Sequence, residues 1–310
     1  MPARSRSGPG RAAGGDRPAC LAVDVGGTKL AAAVVDGTGT LHGARQVPTP
    51  AGHDPDRLFA TLAGLVDEVR AAAVTAPAPA CCGTGCGGPI DAAGLVSPLN
   101  IPAWRSFPLA ERLAAHTGLP TWVDNDAKAL ALAEGWRGAA AGVADYIAMV
   151  VSTGVGGGIV VDGRLLDGAS GNAGHIGHVV VRPDGRECAC GGRGCLEAEV
   201  SGTAIRAITG RPAEEATGDV RRRTGRLVGR AVASVVNLLD VRLAVVGGSV
   251  ALGFGPAFFE AAAAELAERS RIAFARGARL VPAGLGADAP LVGAAAVGWR
   301  GAGTVTGGDR

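Results

Sequence analysis

The sequence has few aromatic residues, no long apolar run and almost no net charge. Of its 310 residues, 4% are aromatic, only one is a tyrosine, and the formal net charge is +2. A chain so near neutrality has no general electrostatic reason to bind nucleic acid or a membrane surface, and we expect neither as a partner. No apolar run reaches the roughly 18 residues of a membrane-spanning helix. The length suits a soluble protein of two domains.

The chain also lacks a recognisable export signal. Its first 18 residues carry four arginines among Gly, Pro, Ala and Ser, without the apolar stretch that a secretory signal needs. We expect residues 1–19 to form a disordered extension, with a basic contact arm as the alternative. The seven cysteines are odd in number and clustered. This favours metal binding in a reducing cytoplasm over disulfides.

Three cysteines and a histidine form a compact group in the sequence. Cys188, Cys190 and Cys195 lie within eight residues of one another, and His178 precedes them by ten. Thiolates and imidazole suit Zn²⁺, and four such ligands close a tetrahedral structural site. The alternative is a cysteine-rich surface loop without a metal. We predict a structural zinc ion in a loop that spans residues 175–199.

A pattern of strand, glycine-threonine turn and strand occurs twice. A buried strand at Leu21–Val25 runs into Gly26-Gly27-Thr28-Lys29, and a second at Tyr146–Val151 runs into Ser152-Thr153-Gly154. Such turns can present backbone N–H groups to a phosphate, although one copy alone could be a plain hairpin. The duplication predicts two similar halves that share one phosphorylated ligand. Asp24, at the end of the first strand, could approach Mg²⁺ through water.

Asp124, Asn125 and Asp126 follow a predicted strand at Thr121–Val123 and begin a helix. Asp and Asn are favoured helix N-caps, so capping is one interpretation. One cap needs one residue, however, and three polar residues are present. The alternative is catalytic, with Asp126 as a general base and Asn125 as a ligand of a substrate hydroxyl. Both interpretations stand for this segment.

Hydrophobic periodicity predicts the remaining elements. Asp54 and Pro55 begin a helix, as its N-cap and its first residue. A strand from Cys81 leads into a glycine-rich turn. A strand at Leu243–Val246 ends in Gly247-Gly248, where adenine could lie against the backbone. Further helices are predicted at Leu109–Thr117, from Ser201 onward, and at Val220–Leu239, Pro256–Arg271 and Leu291–Arg300.

Together these residues resemble the ROK family of sugar kinases and sugar-responsive repressors. The likeness extends from about Cys20 to Arg300 through the segments DVGGTKLA, GGPID, LNIPAW, DNDA, STGVGGG, AGHIGH, CACGGRGCLEAEVSG and VVGGSV. The resemblance implies an α/β fold of the actin-like ATPase type (ribonuclease H-like), with a cleft between two domains. Residues 20–123 would form the first domain, with helix 291–301 packing back onto it. Residues 124–290 would form the second domain, and residues 302–310 a loose tail.

The resemblance also implies roles for individual residues. Asp126 would be the catalytic base, and His178 would serve both the zinc ion and a sugar hydroxyl through its two ring nitrogens. The sugar would contact Gly88, Asn100, Asn125, His175, His178 and Glu197. ATP with Mg²⁺ would contact Asp24, Gly26, Gly27, Thr28, Lys29, Thr153, Gly154, Gly156, Gly157, Gly247 and Gly248. The zinc ligands would be His178, Cys188, Cys190 and Cys195.

Three positions depart from the usual family pattern. His175 stands where members that phosphorylate glucose have Glu, Gly87 where many have Pro, and Lys128 where many have Asn. The segment around His175 is similar to that of bacterial N-acetylmannosamine kinases. A carboxylate accepts hydrogen bonds from two hydroxyls, whereas neutral imidazole offers one donor and one acceptor. An N-acetylmannosamine-like substrate is therefore favoured, with glucose, N-acetylglucosamine and a 3-amino-glucose as alternatives.

These expectations describe an ATP-dependent kinase that phosphorylates the 6-hydroxyl of a hexose or hexosamine. A sugar-sensing regulator would share the sugar and zinc sites but needs a DNA-reading module, and we expect none, because about twenty residues before Leu21 are too few for a helix-turn-helix unit. A binding protein without catalysis is the third alternative, against which Asp126 and two intact phosphate turns argue. Similar proteins are commonly dimers, so a homodimer is expected.

Overall fold

Two five-stranded sheets form the framework of the molecule. The computed structural model describes residues 17–52 and 54–304. The first sheet contains β1 (Ala19–Val25), β2 (Lys29–Val35), β3 (Leu41–Pro48), β4 (Pro79–Cys86) and β5 (Thr121–Asn125). The second contains β6 (Tyr146–Val151), β7 (Val155–Val161), β8 (Arg164–Leu165), β9 (Leu243–Gly247) and β10 (Arg279–Pro282). Helices flank both sheets, so the predicted α/β class is confirmed.

The two sheets share one topology. Strand order is β3-β2-β1-β4-β5 in the first sheet and β8-β7-β6-β9-β10 in the second. In each sheet the central strand pairs antiparallel with the next strand in sequence and parallel with the fourth. The duplication predicted from the two turns therefore extends to whole sheets. Strand β10 was absent from the sequence prediction because four residues are too few to show a clear alternation.

Helices connect the strands and cover the sheets. They are α1 (Pro55–Ala72), α2 (Leu109–Thr117), α3 (Asp126–Trp136), α4 (Leu196–Val200), α5 (Gly202–Thr209), α6 (Gly218–Leu239), α7 (Ser249–Phe254), α8 (Pro256–Arg269) and α9 (Ala289–Gly301). The predicted start of α1 is confirmed, since the Asp54 carboxylate accepts hydrogen bonds from the N–H groups of Asp56 and Arg57. The helix predicted from Ser201 is short. Ser201 caps α5, which ends at Thr209, and the following Gly210 has the left-handed conformation that suits glycine.

The central strands of the first sheet are buried on both faces. Alternate residues of β1 point to opposite sides, so that Leu21 joins a core with α1 and α2 while Cys20 joins a second core with α9. Glycine permits the close contact between the sheet and α9. A Cβ atom at Gly83 would lie 2.0 Å from the carbonyl oxygen of Ala294.

The last helix of each half packs on the sheet of the other half. Helix α3 follows β5 of the first sheet but contacts β6 and β7, and α9 follows β10 but contacts β1, β4 and β5. The two helices also touch each other, where a Cβ at Gly293 would lie 2.5 Å from the Ala129 carbonyl oxygen. We call the first sheet with α1, α2 and α9 the first lobe. The second sheet with α3 to α8 is the second lobe.

The ends of the described chain lie against these two helices. The Arg17 guanidinium is 4.8 Å from the ring centre of Trp136 and 5.6 Å from that of Trp299. The Thr304 N–H group donates to the Trp299 carbonyl oxygen. Strand β1 begins at Ala19, inside the predicted extension, and the predictions for residues 1–16 and 305–310 lie outside the described residues. Among the described helices, none is both long and apolar enough to cross a membrane.

Candidate active site

The carboxyl ends of β1, β4 and β5 bring two acidic side chains to one edge of the first sheet. Strand register places Asp24 beside Gly85 and Gly85 beside Asp124, and α3 begins two residues later at Asp126. Both acids lie close to Gly85, since a Cβ there would be in ordinary contact with them, at 3.6 Å from Asp24 Oδ1 and 3.8 Å from the Asp126 Cα. This edge therefore holds Asp24 and Asp126 close together.

The three polar residues at the start of α3 have three different environments. Asn125 Oδ1 accepts a hydrogen bond from the Ala127 N–H at 3.0 Å and caps the helix. Asp124 Oδ1 lies 2.8 Å from Lys128 Nζ. Asp126 faces the cavity between the lobes. The capping interpretation is thus right for Asn125, and Asp126 remains available for chemistry.

A cavity of about 550 Å³ lies between the lobes and gathers most of the predicted site. Its wall includes Gly26, Gly27, Thr28, Gly88, Asn100, Asn125, Asp126, Thr153, Gly154, Gly156, Gly157, His175, His178, Cys190 and Glu197. Four predicted nucleotide-binding residues lie outside this wall, namely Asp24, Lys29, Gly247 and Gly248. A second cavity, of about 280 Å³ beside Trp122, touches none of the predicted site residues.

The position of both carboxylates changes their proton affinity. Asp126 is exposed to the cavity. Partial desolvation by the surrounding cavity wall raises the pKa of its carboxyl, against the effects of the Ala127 N–H and of His175. Asp24 is 8% exposed. Its burial, and then the charge of Asp126, raises its pKa to about 7, against the effect of Lys29. A carboxylate with a raised pKa is a stronger base, which suits proton abstraction.

Replacing Asp24 with asparagine should stabilise the ligand-free protein at alkaline pH. The pKa of Asp24 rises from about 4 in the unfolded chain to about 7 in the folded protein. Between these values the folded state binds more protons, so stability falls as the pH rises through this window. We expect the melting temperature of Asp24→Asn to exceed that of the wild type by several degrees at about pH 8, and by less at about pH 5.

Thermal melts at the two pH values, without nucleotide or sugar, measure this effect. Asp184→Asn is the control, because Asp184 is an exposed aspartate, and it should shift the melting temperature at neither pH. An equal gain for Asp24→Asn at both pH values would show that the buried charge is not the cause.

The two glycine turns have fixed shapes and face the same cavity. In the β1–β2 turn, the Gly26 N–H donates to the Lys29 carbonyl at 3.0 Å, and the Thr49 hydroxyl donates to the Gly26 carbonyl at 2.7 Å. In the β6–β7 turn, the Ser152 N–H donates to the Gly154 carbonyl at 2.9 Å. Residues of both turns line the cavity, among them Gly27, Thr28 and Gly154.

Glu197 connects the wall of the cavity with the second turn. Its Oε2 atom accepts a hydrogen bond from the Val155 N–H at 2.8 Å. A Cβ at Gly154 would lie 2.9 Å from the same oxygen, so glycine is needed for this approach. A residue assigned to the sugar by resemblance therefore also contacts the turn between β6 and β7, which was predicted to bind phosphate.

The four predicted metal ligands converge on one point. The ligand atoms of His178, Cys188, Cys190 and Cys195 all lie within 4.8 Å of one another. Cys188 Sγ is 3.8 Å from His178 Nδ1, and Cys190 Sγ is 3.8 Å from Cys195 Sγ. Ligands placed about 2.3 Å from a tetrahedral zinc ion would be about 3.8 Å apart, so the cluster fits this metal.

Glu199 anchors the loop that carries the predicted metal ligands, a role that was not predicted from the sequence. Its side chain is 0% exposed, accepts a hydrogen bond from the Arg186 N–H at 2.9 Å, and pairs with Arg223 on α6. Burial acts to raise the pKa of Glu199, but these hydrogen bonds and charges outweigh it and lower the pKa overall. The cluster is thus tied to the core of the second lobe.

His175 borders the cavity beside His178, with 5.9 Å between the ring centres. The preceding Gly174 is required, because its φ is +105° and a Cβ there would lie 2.2 Å from a β7 carbonyl oxygen. Enclosure in the cleft and the neighbouring His178 lower the pKa of His175, with Glu197 among the groups that act in the opposite direction. The imidazole is therefore neutral at physiological pH and offers one donor and one acceptor.

Two predicted nucleotide-binding segments lie beside the cavity rather than in its wall. Gly247 and Gly248 end β9 and precede α7. Gly248 has a φ of +95°, and a Cβ there would lie 2.4 Å from the Val151 carbonyl oxygen, so only glycine fits. Lys29 Nζ contacts Gln46 Oε1 at 3.5 Å. The roles of these residues in nucleotide binding stay predictions.

Eleven residues of the cavity wall were not assigned from the sequence, and three of them have polar or exposed side chains of interest, namely Leu99, Lys128 and Asn172. Lys128 was noted only as a departure from the family pattern. Leu99 is 67% exposed at the cavity, and Asn172 reaches Ile90 on the opposite lobe. Lys128 and Asn172 contact residues that are far away in the sequence, so no local sequence pattern predicts these contacts.

The fold and the site define a sugar kinase with the actin-like ATPase architecture, in which two matched lobes enclose a cleft. The model of the ROK family matches residues 20–299. A 252-residue alignment is 41% identical to the N-acetylmannosamine kinase of Citrobacter koseri, covering 76% of this chain and 84% of that protein. The chain belongs to the ROK family, and it is a sugar kinase.

Solved structures show the same relationship. The ROK hexokinase of Thermus thermophilus is similar with a TM-score of 0.78 and 34% identity, over 92% of this chain and 99% of that one. The ROK family glucokinase of Streptomyces griseus, in complex with glucose and AMPPNP, is similar with a TM-score of 0.76 and 30% identity, over 91% of this chain and 99% of that one. The predicted fold is thereby confirmed.

Proposed function

We propose that this enzyme transfers the γ-phosphoryl group of ATP to the 6-hydroxyl of a hexose or hexosamine. The observation that carries the proposal is a single cavity in which the Asp126 carboxylate, two glycine turns and the wall formed by His178 and Glu197 meet. Phosphoryl transfer depends on positioning and charge neutralisation more than on covalent catalysis. Closure of the two lobes would exclude the water that competes with the sugar.

Asp126 is the proposed catalytic base. As the 6-hydroxyl oxygen attacks the γ-phosphorus in line, its proton passes to the Asp126 carboxylate, and the bond between the phosphorus and the ADP oxygen breaks. The raised pKa of Asp126 increases its strength as a base. Mg²⁺ bound with ATP would neutralise phosphate charge, and Asp24 is the nearby carboxylate that could hold it, through water.

The nucleotide would lie against the two turns. In this proposal Gly26, Gly27, Thr28, Lys29, Thr153, Gly154, Gly156 and Gly157 contact the phosphates, and Gly247 and Gly248 contact the adenosine. Support comes from the position of seven of these eight phosphate-side residues, all but Lys29, in one cavity wall. The similar Streptomyces griseus glucokinase was solved with AMPPNP, an ATP analogue.

The sugar would lie on the opposite side of Asp126, against Gly88, Asn100, Asn125, His175, His178 and Glu197, all of which line the cavity. We favour an N-acetylmannosamine-like substrate. The neutral imidazole of His175 offers one donor and one acceptor to it, and the Citrobacter koseri relative is an N-acetylmannosamine kinase. Glucose and a 3-amino-glucose are the alternatives, the first supported by the glucokinase of Streptomyces griseus.

A structural zinc ion would organise the sugar-side wall. His178, Cys188, Cys190 and Cys195 would hold it, as their mutual distances suit tetrahedral zinc. Zinc would supply rigidity and take no part in the chemistry. Because the Nδ1 atom of His178 faces Cys188, its Nε2 atom is left for a sugar hydroxyl.

We also infer a homodimer in a reducing cytoplasm. Similar proteins commonly form dimers, and all seven cysteines carry free thiols, which suits a reducing compartment. Sedimentation of the purified protein as a monomer at assay concentrations would contradict the dimer.

A kinase assay on a panel of sugars tests the proposal. ATP is supplied with glucose, N-acetylmannosamine, N-acetylglucosamine or 3-amino-glucose, ADP release is followed, and the phosphorylated position is read by NMR. Sugar-dependent ADP release with a 6-phosphate product is the expected result. Sugar binding without turnover would favour a sugar-sensing or non-catalytic binding protein.

His175→Glu should shift the preference of the enzyme towards glucose. A carboxylate accepts hydrogen bonds from two hydroxyls and cannot donate to an acetamido oxygen. We expect the ratio of kcat/KM for glucose to that for N-acetylmannosamine to rise by about tenfold or more, the range of a single changed polar contact. His175→Gln is the control, because its amide keeps one donor and one acceptor group. The same ratio in both variants would contradict this role of position 175.

A further inference from the structure

One stretch of chain without helix or strand closes a side of the cleft. It runs for nine residues from Asp167 to His175, after β8 and before the short turn that carries His178. We call it the roof segment. Four of its residues, Asn172, Ala173, Gly174 and His175, line the cavity. Since it has no ladder of backbone hydrogen bonds, its position depends on a few contacts with its neighbours.

A buried lysine holds the first part of the roof segment. Lys128 is 2% exposed. Its Nζ atom donates to Asp167 Oδ1 at 3.0 Å and to the Gly171 carbonyl oxygen at 3.0 Å, and it lies 2.8 Å from Asp124 Oδ1. These three acceptors match the three N–H donors of an ammonium group. Lys128 is therefore fully engaged with the protein and has no donor left for a substrate.

Arg300 reinforces the same contacts from α9. It lies 2.6 Å from Asp167 Oδ2 and 3.6 Å from Asp124 Oδ2. Two carboxylates and two cations thus join the end of β5, the start of α3, the roof segment and α9. Since β5 and α9 belong to the first lobe and the other two to the second, this network spans the junction of the lobes.

Asn172 fastens the other part of the roof segment to the opposite lobe. Its Nδ2 atom donates to the Ile90 carbonyl oxygen at 2.9 Å, and the Ile90 N–H donates to its Oδ1 atom at 3.4 Å. Ile90 follows Gly88 by two residues, and Gly88 lies in the cavity wall. The roof segment is therefore attached on both sides of the cleft.

We propose that Lys128 is a positioning residue for the sugar site, and that together with Asn172 it holds the roof segment over the cleft. The anchoring rests on geometry alone, whereas its effect on sugar affinity rests on the proposed function. Lys128 stands two residues after Asp126 on α3, so the same helix carries the proposed catalytic carboxylate and holds the roof segment. An asparagine at position 128 is too short to reach Asp167 and Gly171 together, so this attachment depends on the lysine.

Lys128→Met tests the anchoring, because it removes the donors and keeps the length of the side chain. In the ligand-free protein, amide hydrogen exchange within residues 167–175 should become about ten- to hundredfold faster, as expected for loss of charged hydrogen bonds. The KM for the sugar should rise by about tenfold or more, with a much smaller change in the KM for ATP.

Two further variants make the result specific. Asn172→Ala removes the attachment to Ile90 without disturbing a buried charge, and it should change exchange and sugar KM in the same direction. If Lys128→Met does not fold, Asn172→Ala alone tests whether the roof segment is anchored in this way. Arg269→Met removes a cation that pairs with Glu265 on α8, far from the cleft, and should change neither quantity.

Unchanged exchange of residues 167–175 in Lys128→Met and Asn172→Ala would overturn the anchoring. Faster exchange with an unchanged sugar KM would overturn the positioning role. If the wild-type protein phosphorylates no sugar, the proposed function fails, and the exchange measurement still decides whether the roof segment is held as described.

Discussion

Asp126→Asn is expected to lower kcat by about 10²–10⁴-fold, the usual contribution of one general base. The amide has the shape of the carboxylate but cannot take a proton from the attacking hydroxyl. Asn125 remains the cap of α3, so the helix should keep its start and the cavity its shape. The KM for ATP should change little, because the two glycine turns do not depend on this side chain.

The same carboxylate should set the acid limb of the pH profile. The pKa of Asp126 is raised, so wild-type kcat should fall as the pH drops through a value above the ordinary aspartate pKa of about 4. The residual activity of Asp126→Asn should lack this limb. Steady-state kinetics across the pH range measure both effects.

Asp54→Asn is the matched control for this substitution. Asp54 also stands at the start of a helix, where it caps α1, and asparagine caps a helix about as well as aspartate. Its kcat should equal that of the wild type. Near-normal turnover in Asp126→Asn would contradict the assignment of the base.

Cys190→Ala is expected to lose the metal and to weaken sugar binding by about tenfold or more. Three remaining ligands leave a tetrahedral site open, and structural zinc supplies roughly 10–16 kcal/mol of apparent binding energy in small peptides. Without the ion, His178 and the neighbouring Glu197 would lose the support that fixes them at the cavity. Metal analysis of the purified protein and the KM for the sugar report the two effects.

Cys81→Ala separates the metal effect from the simple loss of a thiol. Cys81 is buried in the core of the first lobe, away from the cluster, so its replacement should leave metal content unchanged. A metal-free Cys190→Ala protein with an unchanged sugar KM would refute the coupling. Wild-type protein without bound metal would refute the zinc site itself.

Interactions within a few residues were predictable from the sequence. The periodicity of Leu109–Thr117 gives the observed bounds of α2, and Asp54 caps α1 as its residue type indicates. The predicted metal ligands lie close together in the sequence, and the structure brings their ligand atoms within 4.8 Å of one another. In each case the interacting groups are neighbours in the sequence, so the local sequence pattern is enough to predict the interaction.

Interactions between distant residues were not predictable in this way. Lys128 meets Asp167 across 39 positions, and Asn172 meets Ile90 across 82. The first contact forms within the second lobe and the second joins the two lobes. Both depend on the folded arrangement of the whole chain, so neither residue type nor spacing predicts these partners. Assignments such as Asn100 and Glu197 came from the family resemblance, and the structure places both in the cavity wall.

The exchange of α3 and α9 has a consequence for how the enzyme can move. Either half folded alone would leave bare the sheet face that the other half now covers. Two separate copies of such a half could cover each other's exposed sheet faces only by exchanging their terminal helices, as in a domain-swapped dimer. This chain has that arrangement, with the two partners fused into one polypeptide. We therefore expect any bending that opens the cleft to occur where α3 and α9 cross from one lobe to the other.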